Sequence, residues 1–199
     1  MGECIHERPN PLLSTSGASH LYPVAGRSLI PIQLLNSAGL LLTTEAILLL
    51  QPTHTAKQKN QGAHVHGALN SASVLSLIAG LVVIEYNKIS HGGTHFESPH
   101  AILGLITYIC FIVQALIGIA QFYTPGIFGS VANAKAMYKY HRMSGYALLI
   151  LAFATVAAAT QTDFNKDVLH IRLWAVIVAA LLTLAGVLAR IKKQKLGFH

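Results

Sequence analysis

Five long apolar runs, separated by short polar stretches, organise this chain: 30–50, 66–86, 99–123, 140–160 and 168–190. Each has about the 20 residues that a helix rising ~1.5 Å per residue needs to cross a ~30 Å hydrocarbon core. Helix is the expected element, because a backbone facing lipid must satisfy its own hydrogen bonds. The links carry breakers (Gln51-Pro52-Thr53, His91-Gly92-Gly93, Thr124-Pro125-Gly126). Short links make neighbouring helices antiparallel. The fold expected is an all-α integral membrane protein, a five-helix antiparallel transmembrane bundle.

Composition agrees with this pattern. Hydrophobic residues make up 53% of the chain, charged residues 11%, and the mean hydropathy is +0.52. Soluble domains carry about 25% charged residues. Residues 1–29 lack a long apolar run and hold Pro9, Pro11, Gly17 and Pro23. They read as a loose polar tail without the apolar stretch of a signal peptide. Residues 30–191 form the membrane domain, and 192–199 a basic tail. Cys4 and Cys110 are expected to be free thiols.

Charge sets an orientation. Lys57 and Lys59 follow the first run, Lys135 and Lys139 precede the fourth with Arg142 just inside it, and Arg190, Lys192, Lys193 and Lys195 lie at the C-terminal end of the fifth and beyond. In an antiparallel bundle these segments share one face, which the positive-inside rule places in the cytosol together with the C-terminus. The net charge of +7 then reports topology and contact with anionic lipid. A nucleic-acid partner is not expected, because no basic, aromatic-lined groove or reading motif is present.

Three of the eleven histidines share a placement. His66, His100 and His141 each stand where an apolar run opens, with Gly67, Gly104 and Gly145 close behind. The small residues leave room for something flat beside an imidazole. His66 and His141 fall at the basic face and His100 at the opposite one. Neutral imidazoles facing each other across a bundle suit a haem iron. Interfacial histidines hydrogen-bonded to backbone are the alternative reading. His64 competes with His66, but residues two apart on a helix point to different sides. His91 and His95 suggest a metal site only if two glycines between them permit a helix. Among the other polar residues in the runs, Glu45, Gln114, Asn36 and Asn70 are expected to face the interior. Ala68 and Ala72 offer a close helix contact.

From about residue 30 to 190 the chain resembles the cytochrome b561 family. The resemblance rests on Thr44-Glu45-Ala46, His66-x-x-Leu69-Asn70, Ser98-Pro99-His100-x-x-x-Gly104 and His141-x-x-Ser144-Gly145, in that order. It implies haem b held in a four-helix core, six helices in all, and two haems per chain. It further implies electron transfer from cytosolic ascorbate to monodehydroascorbate or ferric iron across the membrane, an oxidoreductase activity, and a possible homodimer. His66 and His141 would ligate the cytosolic haem, and His100 one side of the outer haem. Lys57, Lys59, Lys135, Lys139 and Arg142 would gather anionic ascorbate, unless they signal topology alone.

Two departures stand out. The family's His-Pro step opening the first core helix is replaced by Ser28-Leu29-Ile30-Pro31-Ile32-Gln33, and its peripheral first helix by the polar tail. An altered gene model or a natural truncation would explain both. One haem is therefore expected, with the second site in question and His20 its only substitute ligand. A haem-deficient relative and a small transporter built around Glu45 are the competing functions.

Overall fold

The computed structural model describes residues 18–192 and Leu196. Its elements run α1 (Ala18–Leu50), α2 (Ala56–Ser90), α3 (Pro99–Tyr123), a 3-10 turn (Pro125–Phe128), α4 (Val131–Ala159), a π-helical turn (Asn165–Leu169) and α5 (Leu173–Leu188). No strand occurs among the described residues. Within α1 to α4 lie four spans long and apolar enough to cross a membrane. The chain is an all-α, multi-pass integral membrane protein.

Two helices begin well before their apolar runs. At the head of α2, Thr55 accepts from the Gln58 amide, and the Gln58 side chain accepts from the Thr55 amide. This reciprocal cap starts the helix at Ala56, and the polar stretch that follows consists largely of residues that tolerate helix well. In α4 the Ser130 hydroxyl accepts from the Asn133 amide and starts the helix at Val131. His66 and His141 therefore do not open their helices, as the apolar pattern suggested. Each lies nearly three turns inside. His100 does open α3, one residue after Pro99, under a Ser98 cap.

The ends of the bundle differ from expectation in other ways. Helix α1 already runs from Ala18, so positions 18–29 of the expected tail are helical. The expectations for residues 1–17, Cys4 included, lie outside the described residues. Helix α5 has 16 residues, not the 23 of its apolar run. Asn165 explains the loss: its Nδ2 donates to the Thr160 and Ile171 carbonyls, and its Oδ1 accepts from the Ile171 amide. His170 adopts a left-handed backbone (φ 54°) in the same turn. The chain spends 165–171 on this knot before α5 can start.

Helices α1 and α2 pack along each other, as do α3 and α4; α2 meets α3, and α1 touches α4 to close the ring. Helix α5 lies against α4 and α1. Leu77, Phe111, Leu148 and Ala152 form the buried centre, with Leu40, Val74, Tyr108 and the free thiol Cys110 packed on it. Polar residues inside are paired between helices: Thr43 with Ser73, Thr107 with Thr155, and Tyr108 with Asn36. Leu41, Leu75, Val82, Leu116, Leu181 and Leu182 are each more than 60% exposed, a surface suited to lipid. Ala68 and Ala72 are exposed as well, so the close α1–α2 contact falls elsewhere, where the Ser73 hydroxyl donates to the Gly39 carbonyl at 2.6 Å.

Candidate functional site

Antiparallel packing puts the starts of α2 and α4 on the same face, which is the basic face of the sequence reading. His66 is ten residues beyond Ala56, and His141 ten beyond Val131, so the two share one depth. Their ring centres are 6.4 Å apart and the rings nearly perpendicular, at 78°. With imidazole–metal bonds of about 2.0–2.1 Å, two imidazoles on opposite sides of one metal ion have ring centres about 6 Å apart. The pair thus has the separation of two axial ligands.

The hydrogen bonds decide which nitrogens are available. His66 Nδ1 lies 2.9 Å from the Ala46 carbonyl. A carbonyl only accepts, so Nδ1 carries the proton and Nε2 keeps its lone pair. Ligating histidines are commonly oriented by such a bond. Asn70, one turn on, donates to the His66 carbonyl at 2.9 Å, and its Nδ2 stands 3.4 Å from His66 Nε2. His141 is different: its Nδ1 is buried without a hydrogen-bond partner. A pair of imidazoles at one depth, with the His66 Nε2 lone pair beside the Asn70 amide and the His141 Nδ1 buried without a partner, has the donor chemistry that a haem iron takes.

At the opposite face His100 repeats the device of His66. Its Nδ1 donates to the Thr155 carbonyl at 3.0 Å, again leaving Nε2 bare. Among the described residues no second histidine faces it. His100 is 18 residues from Gly118, which lies beside His141, and Thr155 is 14 residues from His141. Counting equal distances back along α1 from Ala46 reaches 28–32, which read Ser28, Leu29, Ile30, Pro31 and Ile32. His20 lies at least eight residues further out on the same helix, more than about 12 Å at 1.5 Å per residue. The helical course of α1 places position 20 well beyond the level of 28–32. Among the described residues no three His, Cys, Asp or Glu cluster as a metal site.

Matching these sites to known families, the description Eukaryotic cytochrome b561 covers residues 33–166. The chain belongs to that family. No curated protein matches it. Membership in the cytochrome b561 family points to haem b and to electron transfer across a membrane. The match takes in His66, His100 and His141, whereas the altered positions 28–32 fall outside it.

Other residues of this b561 chain sort themselves by partner. His64 is exposed and meets the Tyr123 hydroxyl at 3.2 Å, leaving His66 as the inward histidine of the two. His91 pairs with the Asn87 carbonyl and His95 with the Glu85 carboxylate, so these two histidines form no joint metal site. Glu45 is exposed on the outer side of α1 instead of facing the interior, and it lines no internal pathway. Lys57, Lys59 and Lys135 are exposed on the starts of α2 and α4, outward of the histidine pair. Lys139 is half-buried, its Nζ 5.0 Å from the Tyr140 ring centre. Arg142 is half-buried next to His141.

The glycines were assigned differently by the sequence. Gly145 does not leave room beside an imidazole; a Cβ there would stand 3.1 Å from Gln114 Nε2, so the Gln114 amide takes that space. The residue that does face a ring is Gly118, where a Cβ would stand 2.9 Å from His141 Cε1. Its place one turn beyond Gln114 on α3 was the available signal, visible only if His141 was already known to face α3.

Proposed function

We propose that this chain is a haem b electron carrier in which His66 and His141 would hold a haem near the cytosolic face. Bound haem supplies one-electron chemistry at its iron. The carrying observation is the pair itself: two imidazoles from different helices, at one depth, 6.4 Å apart. The Ala46 carbonyl holds the His66 tautomer, and both histidines are half-buried between the helices. Lys57, Lys59, Lys135, Lys139 and Arg142 attract an anionic electron donor, ascorbate, to this face. The basic C-terminal segment lies in the cytosol in this reading. Monodehydroascorbate or a ferric chelate is the acceptor on the opposite side.

Among the described residues His100 has no matching histidine, which favours an electron route that stops short of the outer face. A family member with one working haem and little transmembrane transfer is the second reading, favoured by the absence of a ligand at 28–32. The experiment is a reduced-minus-oxidised spectrum of the purified chain with haem counted per polypeptide. One haem with a six-coordinate low-spin signature is expected. A haem-free chain would overturn the electron-carrier reading.

A further inference from the structure

His66 and His100 are each steered by their own Nδ1–H on a backbone carbonyl, whereas His141 is not. Something else must hold its ring, and the contacts of α3 supply it. Gln114 Nε2 donates to the His141 carbonyl at 2.6 Å, tying α3 to this part of α4. The Gln114 amide is itself held, because its Oε1 lies 2.9 Å from the Ser144 hydroxyl. Gly145 leaves the space this amide occupies. One turn along the same side of α3, Gly118 presents bare backbone to the edge of the imidazole.

We infer that Gln114 is a positioning residue for the haem ligand His141, acting through the His141 backbone while Gly118 forms the floor under the ring. The inference rests on the proposed haem reading and extends it. A carbonyl bond to the ligand's own residue fixes where its Cα stands and how far α4 is rotated at that point. With no Nδ1 bond to compensate, the ring direction of His141 depends on that rotation. His66 has no such dependence, because the Ala46 carbonyl steers its ring directly.

The test compares the purified wild-type chain with Gln114→Met, Ser144→Ala and Thr107→Val. Gln114→Met keeps the length of the side chain and removes both amide groups. Ser144→Ala releases the Gln114 oxygen and the hydroxyl's own approaches to the Tyr140 and His141 carbonyls, but leaves the Gln114 Nε2 bond to the His141 carbonyl in place. Thr107→Val breaks a different α3–α4 bond, Thr107 Oγ1 to Thr155 Oγ1 at 2.8 Å, away from His141. Ferric spectra and electron paramagnetic resonance read the ligand geometry, and haem per polypeptide is counted for each. The expected result is that Gln114→Met binds haem but converts a substantial fraction from low-spin to high-spin, Ser144→Ala does so less, and Thr107→Val stays low-spin. Low-spin spectra unchanged from wild type in Gln114→Met overturn the inference, as does an equal change in Thr107→Val. If Gln114→Met does not accumulate, Ser144→Ala decides by the same criterion. Absence of haem from the wild-type chain overturns the proposed function instead, a result distinct from either.

Discussion

His66 and His141 occupy equivalent places in parallel-running helices: each is ten residues from the start of its helix, and their rings meet edge to face with centres 6.4 Å apart. Their hydrogen bonding is unequal, since His66 Nδ1 has the Ala46 carbonyl and His141 Nδ1 has nothing. The pair thus combines an imidazole oriented by its own hydrogen bond with one that has no such bond.

If these two imidazoles hold the haem, His66→Ala or His141→Ala removes the low-spin signal and lowers bound haem to a small fraction of one per chain. His100→Ala leaves that signal in place. Absorbance spectra and a haem count per polypeptide check this; a low-spin haem surviving both single substitutions would rule the pair out.

Gly118→Ala places a methyl 2.9 Å from His141 Cε1. Overpacking of this kind costs about 1–3 kcal/mol. The expected outcome is a lower unfolding temperature in detergent together with partial loss of low-spin haem. Retention of both at wild-type values would mean that the ring moves aside freely.

Reversing charge at Lys135→Glu and Lys139→Glu is expected to slow haem reduction by ascorbate by about tenfold or more at low salt, and less at high salt. Haem content and helix content stay unchanged. Stopped-flow reduction at two ionic strengths measures it, and an unaltered rate would leave these lysines as topology signals alone.

Thr55→Ala removes the cap of α2, worth about 1 kcal/mol. Faster amide exchange across residues 56–60 is expected, with the haem spectrum retained because His66 lies nearly three turns further in. Loss of haem in this variant would tie the site to the helix start more closely than the packing implies.

Vesicles loaded with ascorbate and holding this chain are expected to reduce external ferric chelate slowly, because positions 28–32 offer no histidine opposite His100. Removing one of two sites leaves a gap of roughly half the ~30 Å core. Rates equal to those of a two-haem relative in the same assay would refute this.

Much of the fold was legible because hydrophobic length and polar interruption are local properties. The membrane class, the antiparallel order of the helices and the exclusion of His64 and His66 from sharing one side all follow from spacing along the sequence. The helix starts were not legible from apolarity, since Ala56 to Val65 and Val131 to Tyr140 are helical without being apolar throughout. There the caps at Thr55 and Ser130 were the better signal.

The site divides in the same way. The sequence by itself determined which imidazoles exist, which face each belongs to, and that positions 28–32 hold no ligand to match His100. Only the tertiary structure decided that the Ala46 and Thr155 carbonyls take the Nδ1 protons of His66 and His100, that Glu45 points outward, and that Gln114 and Gly118 hold His141. The reason is physical: which atoms meet depends on the rotation of each helix about its axis, and that rotation is set by the packing of several helices at once.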